Sequence, residues 1–193
     1  NLEKDHLDYY KNFKNIKKTF DEYVSRLPKD GLLVLNADDR NCLEIGKSAK
    51  CKKITYGIKN KTASCRADNA VVKNQIQQFN LFWHKKDLGR FFLKIPGQFN
   101  IYNALAAVSC ALSLRVIPET IKEVLADFKG IWRRFEKIGE YSPRQWRGRG
   151  ALIFSDYAHH PAGVSGTIMA ASQFYPGKKI LTVFQPHHRN RKL

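Results

Sequence analysis

The chain has 193 residues, 43% of them hydrophobic, which is enough for one large domain or two small ones. Its 34 basic and 17 acidic residues give a net charge of +17, which predicts attraction to polyanions such as nucleotides, phosphorylated substrates or nucleic acid. Every apolar run is shorter than the roughly 20 residues of a membrane span, and the four cysteines show no CxxC spacing. We therefore expect a reduced, cytoplasmic protein that does not cross a membrane.

Hydrophobic periodicity predicts alternating helices and strands in the first part of the chain. Residues 14–26 have helical spacing, and the fully apolar run at residues 32–35 is typical of a buried strand. The polar residues 36–39 follow directly, at the carboxyl end of that strand. A short helix over residues 41–50 and a strand over residues 53–58 complete this part.

The pattern changes after residue 69. Residues 69–95 contain β-rich runs separated by polar turns, which predict antiparallel strands. A strong helical pattern covers residues 100–114, and Pro118 stands at the first turn of a second helix. We expect a domain boundary in the connector at residues 130–136.

The last part of the chain predicts a strand, a polar turn, a helix and a second strand, at residues 151–154, 156–161, 162–174 and 179–184. If the two strands are parallel neighbours, their connection is right-handed, and the polar residues after both strands share one rim of the sheet. Four of those rim residues are histidines: His159, His160, His187 and His188. A transition-metal site on this rim is an open alternative.

Four stretches of sequence, in this order, resemble the Mur ligase family of ATP-dependent amino-acid-adding enzymes. They are Asn1-Leu2-Glu3-Lys4-Asp5-His6, Gly97-Gln98-Phe99-Asn100-Ile101-Tyr102-Asn103, Arg133-Arg134-Phe135-Glu136 and Asp156-Tyr157-Ala158-His159-His160-Pro161. The resemblance implies an α/β fold: the later part of a central ATPase domain with a mixed sheet (residues 1–132), followed by the start of a Rossmann-like C-terminal domain (residues 133–193). The closing Phe184-Gln185-Pro186-His187 is similar to the members that add L-alanine to UDP-N-acetylmuramate.

The resemblance also implies the reaction and its cofactors. ATP phosphorylates a substrate carboxylate, and the amine of the incoming amino acid displaces phosphate from the acyl phosphate, with Mg²⁺ and basic side chains neutralising charge. The Gly-rich phosphate loop of such enzymes is absent from this chain and is expected to precede Asn1. We therefore expect a fragment of a longer protein that is not active alone, and its oligomeric state stays open.

Individual roles follow from the same resemblance. His6 matches a histidine that helps hold Mg²⁺, the alternative being that Asp5 and His6 cap the next helix. A metal role for Glu3 is less well supported, and the alternative is that Glu3 only orients its neighbours. Asn100 and Asn103 match residues that contact adenine; without the resemblance, Asn100 would be an ordinary helix N-cap. Phe99 stands where the family usually has a histidine.

The remaining matches lie towards the end of the chain. Arg134 is expected near the ribose and phosphates, with Arg133 structural, and Asp156 is expected to contact the nucleotide. The residues expected to line the amino-acid site or the transferring phosphate are Tyr157, His159, His160, His187 and Arg191. His188 replaces an expected arginine, which leaves the amino-acid specificity open because a histidine is a weaker partner for a carboxylate.

Three other functions are compatible with parts of the sequence. A murein-peptide recycling ligase shares the Asp-x-Ala-His-His-Pro stretch, although the Gln185-Pro186-His187 ending argues against it. A metal-dependent hydrolase would use the histidine rim. A basic nucleic-acid-binding module is not favoured, because no zinc-finger or RNP-type motif accompanies the basic residues, which are spread along the chain.

Overall fold

The computed structural model describes residues 1–142 and 150–186. Its elements up to the second strand are α1 (Leu7–Tyr10), α2 (Phe13–Ser25), β1 (Leu32–Asn36), α3 (Arg40–Ile45), a 3₁₀ turn (Gly46–Ser48) and β2 (Lys52–Gly57). The elements that follow are β3 (Cys65–Lys73), β4 (Ile76–Trp83), β5 (Lys86–Leu93), α4 (Gln98–Ser113), α5 (Pro118–Asp127), β6 (Glu136–Tyr141), β7 (Ala151–Ser155) and α6 (Pro161–Phe174).

Strands β1 to β5 form one mixed sheet in sequence order. β1, β2 and β3 run parallel, whereas β3, β4 and β5 are antiparallel neighbours. The two antiparallel connections are two-residue turns, Asn74-Gln75 and His84-Lys85, with all four φ angles positive. Such turns match the twist of the flanking strands. The α/β class and the antiparallel strands predicted after residue 69 are therefore confirmed.

The main core lies between this sheet and helix α4. Alternate residues of β4 and β5 are buried, so one face of the hairpin packs on the helix while the other is more exposed. The buried members of this core are Cys65, Ala67, Phe79, Leu81, Phe91, Leu93, Ile101, Ala104, Leu105, Val108 and Ile121. Burial raises the pKa of Cys65 to about 11, so this thiol stays protonated and serves packing.

Asp38 joins the carboxyl ends of β1 and β2 to helix α4. Its two carboxylate oxygens accept hydrogen bonds from the backbone amides of residues 58, 59 and 60 at 2.6 to 2.9 Å. A fourth bond comes from the hydroxyl of Tyr102, at 2.8 Å. Burial alone would raise the pKa of Asp38, but these four donors outweigh it and lower the pKa below its usual value.

The structure has two units: a larger one built on the five-stranded sheet, and a smaller one formed by the segment after the connector. β6 and β7 pair in antiparallel orientation, and α6 follows β7 through the polar turn. The ring of Phe154 lies 4.6 Å from that of Phe135 and 5.6 Å from that of Tyr175, between centroids. The contact between Phe154 and Tyr175 joins β7 to the end of α6, and the side chains of Ala170 and Phe174 on α6 are buried.

The strand predicted at residues 179–184 is wrong for the described part of the chain. Residues 178–186 form no strand, and β7 pairs with β6 rather than with them. Leu181 and Val183 are 85% and 92% exposed. An apolar run indicates a tendency to form a buried strand, but the strand exists only where a neighbour satisfies its backbone hydrogen bonds. The parallel crossover expected from these two runs is therefore not formed among the described residues.

The helix predicted over residues 41–50 is shorter, because α3 ends at Ile45 and the chain continues as a 3₁₀ turn. Within the described residues, no helix is both long enough and apolar enough to cross a membrane.

We predict that Asp38→Asn lowers the free energy of unfolding by about 2 kcal/mol at pH 7, because the new amide N–H₂ would face backbone donors. Since the folded pKa of Asp38 is lowered, its contribution is present at neutral pH and is lost as the pH falls below about 4. The variant should therefore lose less stability than the parent chain between pH 7 and pH 3. Urea denaturation at both pH values measures this, with the exposed Tyr23→Phe as a control that should change little; equal losses in both proteins would contradict it.

Candidate functional site

The structure brings the first and last of the four sequence motifs together. We call residues 1–6 the amino-terminal segment and residues 156–161 the strand-end turn. Nδ1 of His160 lies 3.0 Å from Oε2 of Glu3, and Nε2 of His159 lies 3.8 Å from Oδ2 of Asp5. Carboxylates from the beginning of the chain therefore face imidazoles that follow β7.

The amino-terminal segment is held in place by Asp39, which follows β1. The backbone amide of Leu2 donates to Asp39 Oδ2 at 2.7 Å. The other oxygen of Asp39 caps α3 through the amides of Asn41 and Cys42. Burial alone would raise the pKa of Asp39, but these amides outweigh it and lower the pKa below its usual value.

His6 is the most exposed residue of the cluster. Its side chain is 66% exposed, and its Nε2 lies 3.8 Å from Asp5 Oδ2. His6 occupies the N-cap position of α1 with a left-handed φ of 53°, yet its side chain makes no capping hydrogen bond. The alternative that this histidine caps the next helix through its side chain is therefore not what the structure shows.

Asp156 ties the connector to the strand-end turn. Its Oδ2 accepts from the amide of Phe135 at 2.8 Å, and its Oδ1 accepts from the amide of Ala158 at 2.7 Å. The amide of Tyr157 donates to the carbonyl of Arg133 at 2.9 Å, and the Arg133 guanidinium lies 4.9 Å from the Tyr157 ring centroid. Arg133 therefore contacts the strand-end turn through both its backbone carbonyl and its side chain.

Arg134 borders an open pocket of about 440 Å³ where the connector meets both units. The lining combines aromatic side chains, among them Trp132, Phe154 and Tyr175, with basic ones. The side chain of Arg134 is exposed to solvent at this junction.

Asn100 and Asn103 lie on the first turns of α4. The helix begins at Gln98, with Gly97 as its N-cap at a φ of 91°, so the alternative that Asn100 is an N-cap is wrong. The Asn100 amide donates to the carbonyl of Pro96 at 2.7 Å, and the Asn103 amide donates to Asn100 Oδ1 at 3.2 Å. Asn103 is exposed, and the two amides form one polar pair at the start of the helix.

Phe99, at the start of α4, connects the two units by packing against α6. A Cβ atom on Gly166 of α6 would lie 3.4 Å from the Phe99 ring, so the ring packs against this glycine. A Cβ atom on Gly97 would lie 2.4 Å from the same ring. Both glycines therefore leave the space that the phenylalanine fills.

Some of the predicted site lies outside the described residues: His187, His188, Arg189 and Arg191. Among the described residues, no group of three or more His, Cys, Asp or Glu side chains could hold a metal ion by itself. Mg²⁺ commonly keeps several waters and takes one or two protein ligands together with substrate phosphates. The imidazole of His6 is exposed beside the carboxylate of Asp5, and imidazole is an unusual ligand for Mg²⁺, which prefers oxygen.

Comparison with known proteins gives the family. The model of the Mur ligase middle domain matches residues 1–111. The chain belongs to the Mur ligase family. Two relatives named UDP-N-acetylmuramate–L-alanine ligase, from Alkaliphilus metalliredigens and Clostridium novyi, are 40% identical to it over 99% and 100% of its length.

A solved Mur ligase also has the same fold. The crystal structure of UDP-N-acetylmuramate–alanine ligase from Thermotoga maritima superposes with a TM-score of 0.76 at 27% identity, covering 97% of this chain and 40% of that one. The chain spans about 40% of the length of the curated relatives it matches.

Sequence reasoning missed one contact that matters here. It left Glu3 between a metal role and an orienting role and did not pair it with His160, because nothing in the spacing of the motifs connects two residues so far apart in the chain. The available signal was that both stretches match motifs of one family.

We predict that Asp156→Ala loosens the connector, because two backbone amides lose their acceptor. Loss of a hydrogen bond to a charged group lowers stability by about 1.5–3 kcal/mol. Amide hydrogen exchange at Phe135 and Ala158 should therefore become roughly 10- to 100-fold faster. Hydrogen exchange measured by mass spectrometry or NMR tests this, with β4 as an internal reference. The exposed Asp127→Ala is the matched control; unchanged protection of both amides in Asp156→Ala would contradict the structural role.

Proposed function

We propose that this chain is part of an ATP-dependent ligase that adds L-alanine to UDP-N-acetylmuramate through an acyl phosphate. The observation that carries the proposal is the meeting of the amino-terminal segment with the strand-end turn, which unites two family motifs in one cluster. The 40% identity to relatives named for this reaction, over nearly the whole chain, supports the same substrates. Residues 1–132 and 133–193 are then parts of two domains.

The nucleotide is proposed to bind at the junction of these domains. The Asn100–Asn103 pair can donate and accept hydrogen bonds at once, which suits the edge of adenine. Arg134 on the connector would face the ribose and phosphates. Asp156 already accepts hydrogen bonds from two backbone amides. Its carboxylate has further acceptor positions for a nucleotide hydroxyl or for water bound to the nucleotide.

His6 would supply one ligand to Mg²⁺. When bound, this ion neutralises charge on the transferring phosphate. The basic composition of the chain adds to this effect, because a net charge of +17 favours an anionic nucleotide and an anionic sugar-nucleotide substrate alike.

The amino acid is proposed to bind next to the strand-end turn. Tyr157 and His159 would line its site, and His160 would act in the chemical step. His187 and Arg191, outside the described residues, are proposed to complete the site, with Arg191 as the partner of the amino acid's carboxylate.

The recycling ligase is the alternative within the family. It is less favoured because the relatives at 40% identity carry the alanine-adding name and because Gln185-Pro186 precedes His187. Phosphate release by the full-length protein, with ATP and UDP-N-acetylmuramate, should require L-alanine rather than glycine, L-serine or the murein tripeptide. Phosphate release only with the tripeptide would assign the recycling reaction. If none of these acceptors supports phosphate release, the proposal is overturned.

We predict that Asn103→Ala in the full-length enzyme raises the KM for ATP roughly 10-fold or more, because an adenine edge loses a hydrogen-bonding partner. The KM for L-alanine should change less than twofold. Steady-state kinetics with each substrate varied in turn measures both values, and Asn15→Ala on the surface of α2 is the control. Equal KM values for ATP in the parent enzyme and in Asn103→Ala would place the adenine elsewhere.

A further inference from the structure

Glu3 and His160 are in direct contact between the amino-terminal segment and the strand-end turn. The Glu3 Oε2 to His160 Nδ1 distance is 3.0 Å, and the two side chains are 37% and 30% exposed. The same Nδ1 lies 3.4 Å from the backbone amide of Ala162, in the first turn of α6. One imidazole nitrogen is therefore approached by both an acceptor and a donor.

These two contacts cannot both be full hydrogen bonds. An ionised carboxylate only accepts, so a bond to Glu3 requires a proton on Nδ1, whereas a bond from Ala162 requires a lone pair there. The carboxylate is nearer, and hydrogen bonds to a charged group are the stronger ones. Nδ1 therefore carries the proton, and in the neutral ring the lone pair resides on Nε2.

We infer that Glu3 is a positioning residue that holds His160 in the tautomer whose Nε2 accepts a proton from the incoming amino acid. The inference rests on the proposed ligase function and adds a step to it. An amino acid arrives as an ammonium ion, which has no lone pair, so a base must remove a proton before the nitrogen can attack.

Nε2 of His160 takes one proton from the ammonium group, and the freed lone pair forms the C–N bond at the acyl carbon. The C–O bond to phosphate breaks, and its electron pair leaves with the phosphate. The second proton lost by the nitrogen goes to the phosphate oxygen, so the products are a neutral amide, hydrogen phosphate and an imidazolium that solvent deprotonates.

The neighbouring charged groups form a second, parallel arrangement. Asp5 lies between His6 and His159, with Oδ2 at 3.8 Å from Nε2 of each ring. Nδ1 of His159 lies 2.9 Å from the carbonyl of Tyr157, so this nitrogen carries its proton and donates. His159 is thus oriented by its own turn, whereas His160 receives its orienting carboxylate from the distant amino-terminal segment.

The test uses the full-length enzyme with two nucleophiles. L-alanine needs a base, whereas hydroxylamine is already unprotonated at neutral pH and converts the acyl phosphate directly into a hydroxamate. Glu3→Gln lets the ring adopt either tautomer, since an amide both donates and accepts. We expect kcat for L-alanine to fall about 10- to 100-fold, within the range that general-base catalysis supplies, while hydroxamate formation stays within about threefold.

Three comparisons make the result specific. Glu3→Asp keeps the carboxylate and should recover part of the alanine rate, and Glu22→Gln, on the exposed surface of α2, should match the parent enzyme. The deficit of Glu3→Gln should shrink as the pH rises, because neutral amine becomes available without a base. His160→Gln should show the same contrast between L-alanine and hydroxylamine.

Other outcomes would overturn the inference. An equal fall with both nucleophiles would make Glu3 structural, and no fall with either would remove its role. If the parent enzyme forms neither the hydroxamate nor the alanine product, the proposed function itself is wrong and the inference falls with it. That failure is distinguishable, because it appears before any substitution is made.

Discussion

The candidate site depends on the two hydrogen bonds that the carboxylate of Asp156 accepts. By accepting the amides of Phe135 and Ala158, this carboxylate fixes the connector to the strand-end turn. The turn then presents His159 and His160 to Asp5 and Glu3, which Asp39 holds in place through the amide of Leu2. Carboxylates in turns thus order both halves of the cluster by capturing backbone donors that would otherwise lack partners.

A carboxylate also accepts several backbone hydrogen bonds inside the larger unit. Asp38 collects three backbone amides and the hydroxyl of Tyr102, and so joins the ends of two parallel strands to the helix that carries Asn100 and Asn103. Burial, followed by the neighbouring Asp38 carboxylate, raises the pKa of Tyr102, so its hydroxyl remains a donor across the neutral range. The sheet edge and the helix start are therefore fixed relative to each other.

Sequence patterns predicted elements well wherever the element's own residues decide it. The alternation in β4 and the helical pattern of α4 reflect burial on one face, which the chain encodes locally. Residues 179–184 have equally apolar composition, but a strand also requires a neighbour, and Leu181 and Val183 have none among the described residues. The pairing of Glu3 with His160 was likewise beyond prediction, because it depends on how the two units meet.

The central claim is that the amino-terminal segment and the strand-end turn act as one site. A double-mutant cycle on Glu3→Gln and His160→Gln, measured as kcat/KM for L-alanine in the full-length enzyme, tests it most directly. If Glu3 acts through His160, the double variant should be no slower than His160→Gln alone, within about twofold. Effects that multiply, or single substitutions without effect, would show that the two segments do not act together and would contradict the account.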